Sequence, residues 1–291
     1  MTDLAGDNVV DAASPGLLRR IRSRMPLLVI CGAGWLALMI FAAISTDLLR
    51  PYPVTKMDLS ARLAVPGTPG HWLGTDELGR DVLSRLMESI RASLVIAFGA
   101  TVLSAVFGTT LGFLAARFRG IVEHLVLTLA DFQAALPFMI LSLSVLAFFG
   151  SSMTLLVLLM SFYGWERYAR IARGLAISAG AQGYAAAVVQ LGATPARVYL
   201  KHILPNVAST IIVSMTLTFP EIILMESGLS FLGLGVQPPD TSLGNMVGFG
   251  REYLTRAPWV MLAPAFVIML TTLSISVVGD WLRDRLDPTV R

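Results

Sequence analysis

GYAAAVVQLGATPARVYLKHILPN, residues 183–206, is a polar and basic stretch in a chain that is strongly apolar overall. Its residue types predict two short helices that meet at a sharp turn. The first helix begins near Tyr184 and ends at Gly192, because glycine enters a left-handed helix cap without a steric penalty. The second begins with Thr194 as its N-cap and Pro195 at the first helical position, where a missing N–H costs nothing.

The end of the same stretch completes this prediction. Pro205 is expected to close the second helix, because proline cannot donate the next helical hydrogen bond. A polar helix–turn–helix between apolar segments does not suit the interior of a membrane. We therefore expect it to dock into a soluble partner.

Composition requires an apolar environment for most of this 291-residue chain. Hydrophobic residues make up 55% and charged residues 14% of its positions, whereas soluble domains carry about 25% charged residues. The chain is therefore predicted to be an all-α integral membrane protein. Its net charge of +3 is small and argues against the basic face of a nucleic-acid binder.

Six segments are long and apolar enough to cross a bilayer, whose core of about 30 Å requires about 20 apolar residues in a helix. The first follows four arginines, but its apolar run is too long for a signal peptide and lacks an obvious cleavage site. It is therefore interpreted as a retained anchor. The six predicted spans are residues 25–45, 92–115, 122–149, 152–168, 207–232 and 259–279.

Basic residues predict the orientation, because cytoplasmic loops carry an excess of Lys and Arg. With both termini inside, 14 of the 22 basic residues lie on the cytoplasmic side. The predicted organisation is a disordered N-terminus (1–16), an anchor helix (17–45), an external loop (46–91), a five-helix core (92–282) with a cytoplasmic loop (169–206), and a cytoplasmic tail (283–291).

The external loop has the pattern of an amphipathic helix from Asp76 onward. One face of this predicted helix is apolar and the other faces carry charged and polar residues, so we expect the helix to lie along the outer membrane interface. The apolar face comprises Leu78, Val82, Leu83, Leu86 and Ile90.

Sequence signatures of catalysis are missing. No G-x-x-x-x-G-K-[ST] loop occurs, so the chain is not expected to bind ATP by that route. His71 with Asp76 and Glu77 is a conceivable metal site, but a surface cluster at a helix start is the simpler interpretation. An intramembrane serine protease is not expected, since Ser230 has no transmembrane histidine to face it. We predict a conduit without catalytic, cofactor-binding or metal-binding residues.

Three acidic residues lie away from the ends of predicted spans, where ionisable groups cost about 2.5–3.5 kcal/mol on insertion scales and are candidates for function. Asp131 precedes Pro137 by six residues. Glu221 follows Pro220, and Glu226 comes five residues later. Each proline removes a backbone hydrogen bond and can bend its helix. The acids with their prolines either line a gated translocation pathway or bond to neighbouring helices.

Two further patterns concern helix packing and anchoring. Gly108 and Gly112 have the small-xxx-small spacing that lets helix backbones approach closely, and plain packing is the favoured interpretation. Arg167, Arg170 and Arg173 share one helical face. They are interpreted as anchors that snorkel to the inner surface, with contact to a partner subunit as the alternative.

Residues 183–206 resemble the cytoplasmic EAA loop of permeases from binding-protein-dependent ABC importers. That family has EAA, three residues, Gly, nine residues and Ile-x-Leu-Pro. Ala186 stands in place of the family Glu that helps fix the loop against the ATPase, while Val188 and His202 replace Ala and Ile. Docking to the ATPase is still expected, but without the polar contacts that the family Glu would make. The residues implied in ATPase coupling are Tyr184, Ala186, Ala187, Leu191, Gly192, Thr194, Pro195, Leu204 and Pro205.

Four further stretches resemble the dipeptide, oligopeptide and nickel branch of these permeases, so that the similarity covers roughly residues 17–291. The C-terminal tail resembles that of the second, shorter permease subunit. The four stretches are GTDELGRDVLSRLMESIRASL (74–94), ESGLSFLGLGVQPPDTSLGNM (226–246), APWVMLAPA (257–265) and GDWLRDRLDPTVR (279–291).

The resemblance implies a type I ABC importer permease fold with six transmembrane helices and cytoplasmic termini, in a bacterial inner membrane. It implies a heterodimer with a second permease, two subunits or domains that bind ATP and Mg, and an external solute-binding protein. Peptides are the implied solute, with nickel or metal chelates, glutathione-like molecules and opines as alternatives. An ion-coupled secondary transporter and a channel or scaffold subunit are the competing classes. The first would call for an inverted repeat, which is not visible.

Overall fold

The computed structural model of the protein describes residues 26–180 and 190–286. In these residues every named secondary-structure element is helical. Short helical turns lie between the longer helices, at Thr46–Leu49, Leu59–Ala61, Pro195–Arg197 and Arg251–Tyr253. The longer helices are α1 (Leu27–Ile44), α2 (Val82–Phe118), α3 (Gly120–Ala135), α4 (Phe138–Phe149), α5 (Met153–Ser161), α6 (Trp165–Gly180), α7 (Leu204–Phe231), α8 (Leu243–Gly250) and α9 (Trp259–Leu286).

Four helices are long and apolar enough to cross a membrane, namely α1, α2, α9 and the helix Pro195–Phe231 that contains α7. The pair α3 and α4 provides a fifth candidate, bent by 86° at the break between the two helices. The all-helical membrane class agrees with the prediction. Six spans are not found within the described residues, because α5 and α6 divide the predicted span 152–168.

The breaks in these spans follow from local backbone chemistry. Leu136 is extended (φ −81°, ψ 134°) because the residue before a proline avoids the α region, and Pro137 therefore divides the predicted helix 122–149. Gly164 lies between α5 and α6 with φ of +79°, a left-handed conformation that favours glycine. A Cβ at Gly164 would also lie 3.3 Å from the Thr218 side chain. The predicted single helix 152–168 is therefore wrong.

The predicted amphipathic helix from Asp76 is also wrong, because the chain turns before α2 begins. The buried Asp76 carboxylate accepts hydrogen bonds of 2.9 Å from the backbone N–H groups of Leu78 and Arg80. It also pairs with the side chains of Arg80 and Arg85. These bonds hold residues 76–81 in a loop, and α2 then runs without interruption from residue 82 to residue 118.

Glycines let α2 and α6 approach closely, as their spacing predicts. A Cβ at Gly108 would lie 2.3 Å from the Trp165 carbonyl oxygen, and one at Gly112 would lie 2.4 Å from that of Ala169. The two backbones are therefore in contact where the glycines stand. Small residues of α6, including the fully buried Ala172, complete the interface.

Alanine at Gly108 is expected to destabilise the protein, because the added methyl group meets backbone that cannot rotate away. Overpacking of this kind costs about 1–3 kcal/mol. Gly99→Ala is the matched control, since its Cβ would make an ordinary 3.5 Å contact with Val157 and alanine favours the helix. Thermal unfolding in detergent should show a lower midpoint for G108A and an unchanged or higher one for G99A. Equal midpoints for the two variants would contradict the close packing.

The helix that leads into α7 does not close at Pro205, which corrects the prediction. Val198–Ile203 form a π-helical turn, and the Leu204 N–H donates to the Tyr199 carbonyl five residues earlier. In an α-helix the Pro205 ring would clash with the carbonyl of Lys201, four residues before it. The wider turn shifts the hydrogen-bond pattern by one residue just before the proline, and the helix continues to Phe231.

Candidate functional site

The turn at Gly192 has the predicted backbone. Gly192 has φ of +80°, and a Cβ there would have no atom within 4 Å, so conformation rather than space calls for glycine. Thr194 is extended, and its hydroxyl accepts a hydrogen bond of 3.4 Å from the Arg197 N–H. Pro195 opens the following turn. The predicted residues Tyr184, Ala186 and Ala187 lie outside the described residues.

One side of this turn is fixed to the helical bundle. Val198, Ile203 and Val207 are buried together with Tyr168 of α6 in one apolar cluster. Leu204 packs partly buried against the same cluster, so it supports the turn from inside. The turn is therefore packed directly against α6 and α7. The other buried members of this cluster are Ala105, Ala116, Ala176, Ala179 and Ile211.

The opposite side of the turn is exposed. Leu191 is 86% exposed and Leu200 is 63% exposed. Arg197 and Lys201 are exposed beside them. Exposed leucines with basic residues near them in the chain suit docking to a partner that offers apolar and acidic contacts. The resemblance implies a coupling role for Leu191, and that role stays a prediction; Leu200 was not among the residues it implied.

A ladder of ion pairs connects α6 to two neighbouring helices. The arginine side chains that were predicted to snorkel instead meet acidic side chains of α3 and α7. Both Asp131 and Glu221 belong to this ladder, in agreement with the interpretation that these acids bond to neighbouring helices. The three pairs are Arg167 with Glu221 at 3.2 Å, Arg170 with Asp131 at 2.8 Å, and Arg173 with Glu123.

The side chains of two of these pairs, Arg167 with Glu221 and Arg170 with Asp131, are partly exposed. The Asp131 side chain is 74% exposed and that of Glu221 is 36% exposed, while Arg167 and Arg170 are each nearly half exposed. Charged side chains in membrane helices face water or protein rather than lipid. This face of the bundle is thus unsuited to contact with lipid, and a lumen-lining role for Asp131 and Glu221 stays a prediction.

Glu226 has a different environment. Its side chain is buried, with 1% of the residue exposed, and the Ser230 hydroxyl donates a hydrogen bond of 2.7 Å to it. Its predicted place in the pathway also stays a prediction. Pro220, one turn and a half before it, is buried inside α7, whereas Pro137 stands at the break before α4.

The residues considered for a metal site are used otherwise. His71 Nδ1 lies 2.9 Å from the Asp81 carboxylate, which also caps α2 by accepting the Ser84 N–H at 2.8 Å. Asp76 is occupied by arginines, and Glu77 bonds to Arg80. Across residues 26–180 and 190–286, no three His, Cys, Asp or Glu side chains are grouped as metal ligands would be.

Comparison with known proteins extends this description beyond the described residues. Residues 108–291 match the family described as "Binding-protein-dependent transport system inner membrane component". The chain is 35% identical to the "Oligopeptide transport system permease protein OppC" of Mycobacterium tuberculosis (strain ATCC 25618 / H37Rv), over 88% of each chain. It is 34% identical to the "Dipeptide transport system permease protein DppC" of Alkalihalophilus pseudofirmus, over 91% of this chain and 86% of that one.

A solved structure supports the fold. A chain from "Inward facing conformations of the MetNI methionine ABC transporter: CY5 native crystal form" superimposes with a TM-score of 0.53. The superposition covers 70% of this chain and 96% of that chain, at 18% sequence identity. The likeness concerns the arrangement of helices alone.

Proposed function

Since the chain belongs to the family of binding-protein-dependent transport system inner membrane components, we propose that it is a permease subunit of an ATP-driven importer of di- and oligopeptides. The observation that carries the proposal is its 35% identity to an oligopeptide permease along 88% of the chain. As a member of this family it is a multi-pass protein of the bacterial inner membrane. Its tail favours the second, shorter subunit type.

The finer topology is part of the same proposal. α1, α2, the bent pair α3–α4, the divided pair α5–α6, α7 and α9 make six crossings, and both termini face the cytoplasm. The excess of basic residues on that side supports this orientation. It places the turn at Gly192 in the cytoplasm and the segment between α7 and α9 outside.

In this proposal partner subunits hydrolyse the ATP that drives transport, because the chain has no phosphate-binding loop. Two ATP-binding subunits bind ATP and Mg, and one of them docks at the turn, where Leu191, Leu200 and their basic neighbours are exposed. When the ATPases close, they pull the turn, and the buried cluster carries the motion to α6 and α7. The ion-pair ladder extends it to α3, so that the helices rock between two arrangements.

The family suggests the remaining partners. A second permease covers or shares the charged face around Asp131 and Glu221, and the two subunits enclose the lumen. An external solute-binding protein delivers the peptide. Nickel or metal chelates, glutathione-like molecules and opines are the alternative solutes, and an ion-coupled secondary transporter is the alternative class.

Co-purification and reconstitution test this function. We expect the tagged chain to bring with it a second permease and ATP-binding subunits. In proteoliposomes, peptide uptake should require both ATP and the solute-binding protein and should persist when ionophores remove ion gradients. Liposomes without the binding protein are the control. Uptake that follows an ion gradient in the absence of ATP would establish the secondary transporter instead.

A further inference from the structure

Glu226 lies where three parts of the chain meet. It is in the last turns of α7, beside Ser93 of α2 and close to the segment that joins α7 to α8. Its carboxylate oxygens have hydroxyl partners on two helices, with Ser230 at 2.7 Å and Ser93 at 3.4 Å. A buried carboxyl group is costly unless its oxygens are hydrogen-bonded, so these hydroxyls are what makes the position tolerable.

The two hydroxyls also accept hydrogen bonds from the connecting segment. The Val236 N–H donates to Ser230 Oγ at 3.3 Å, and the Leu243 N–H donates to Ser93 Oγ at 3.1 Å. A hydroxyl has a single proton to donate, and an incoming N–H leaves that proton free for the carboxylate. Glu226 is therefore the common acceptor of two relays, each of which begins at a backbone N–H.

These relays hold the connecting segment at both of its ends. Val236 and Leu243 are buried, and Thr241 adds a hydrogen bond of 2.8 Å to Ser89 of α2. Between the two anchors, residues 237–240 are exposed. Residues 237–240 thus form a short exposed tip, and the residues on either side of it are hydrogen-bonded to α2 and α7.

We propose that Glu226 is a positioning residue, which fixes the segment Val236–Leu243 to α2 and α7 through Ser93 and Ser230. Its function is to keep the exposed tip aligned with the helices that move during transport. An apolar residue of similar size would fill the same space without directing either hydroxyl. The importance of this alignment for uptake rests on the proposed function, whereas the anchoring itself does not.

A spin label on the tip tests the anchoring. The label is attached at Asp240→Cys in a chain whose native cysteine is removed by Cys31→Ser, within the assembled complex. With Glu226→Ala, we expect the rotational correlation time of the label to fall about threefold, because the Ser93 and Ser230 hydroxyls lose the carboxylate that orients them toward the Leu243 and Val236 N–H groups. Glu252→Gln, an exposed acid in the segment between α8 and α9, is the control and should leave the time unchanged. A Glu226→Ala label as immobile as that control overturns the proposal.

Partial variants separate anchoring from general loss of stability. Glu226→Gln keeps the shape and one acceptor oxygen, so it should give intermediate mobility in a folded complex. Ser93→Ala and Ser230→Ala should each mobilise the label, and neither should add to the effect of Glu226→Ala, because all three act through one carboxylate. Fully additive effects would show that the serines act independently of Glu226 and would overturn the relay.

ATP hydrolysis provides the functional measurement. With Glu226→Ala, stimulation by the peptide-loaded solute-binding protein should fall about tenfold, as expected when a contacting element is misplaced. Basal hydrolysis should be retained. An equal loss of basal and stimulated hydrolysis overturns the positioning role. Absence of stimulation in the unmodified complex counts against the proposed function alone, since the spin label still decides the anchoring.

Discussion

Valine at Gly192 is expected to separate ATP hydrolysis from solute uptake. Gly192 has φ of +80°, a conformation that costs residues with a Cβ about 1–2 kcal/mol and β-branched residues more. A Cβ would meet no neighbouring atom, so the penalty acts on the backbone of the turn alone and leaves the packed bundle intact. Uptake per ATP hydrolysed should therefore fall about tenfold, since 1.4 kcal/mol corresponds to that factor.

Asparagine at the same position is the matched control, because it tolerates the left-handed region far better than valine. Gly192→Asn should keep most of the coupling, although it adds a larger polar side chain. Both variants should assemble with the ATPase subunits and unfold at nearly the same temperature in detergent. If valine and asparagine reduce coupling equally, bulk rather than backbone conformation matters. Full coupling in the valine variant would contradict docking through this turn.

Neutralising Glu221 is expected to reduce uptake and to change which peptides are preferred. Glu221→Gln leaves Arg167 without the acid that lies 3.2 Å from it. An uncompensated positive charge on this half-exposed face should disfavour cationic peptides relative to anionic ones. Removing one partner of a buried ion pair costs about 3–5 kcal/mol, and we expect less here because the pair is partly solvated. Competition uptake with charged and neutral peptides measures the effect.

The double variant Arg167→Gln with Glu221→Gln distinguishes a lumen from a structural bond. If the pair only joins α6 to α7, removing both charges should restore uptake and preference together. If the pair lines the lumen, assembly should recover while the preference stays altered. The double variant Arg173→Gln with Glu123→Gln is the control, because it removes an ion pair between α6 and α3 and leaves the pair between α6 and α7 intact. Glu221→Gln and Glu226→Gln variants with unchanged uptake and unchanged preference would contradict the pathway role of both acids.

Features that depend on neighbouring residues could be predicted from the sequence. The turn at Gly192 and Thr194 and the break at Pro137 each follow from the conformational limits of one or two residues. The close approach at Gly108 and Gly112 follows from their spacing, because residues four apart share one helix face. These predictions required no knowledge of the partner helix.

Features that depend on distant residues could not be predicted in the same way. The amphipathic pattern after Asp76 is real, but Arg85 and the loop backbone give that carboxylate a tertiary network that overrides a helix start. The snorkelling interpretation of Arg170 failed to foresee Asp131, which is 39 positions away. Likewise, Ser93 is 133 positions from Glu226, so no local pattern could identify the relay.

The π-helical turn before Pro205 separates two surfaces of one continuous helix. Successive residues of an α-helix are rotated by about 100°, so positions five apart normally face different sides. Val198 and Ile203 are five apart and yet lie in the same buried cluster, as an i to i+5 turn permits. The surface that carries Leu200 is thus set independently of the surfaces of α7. Under the proposed docking, substitutions around Leu200 can therefore alter the fit to an ATPase without changing the membrane-spanning face of α7.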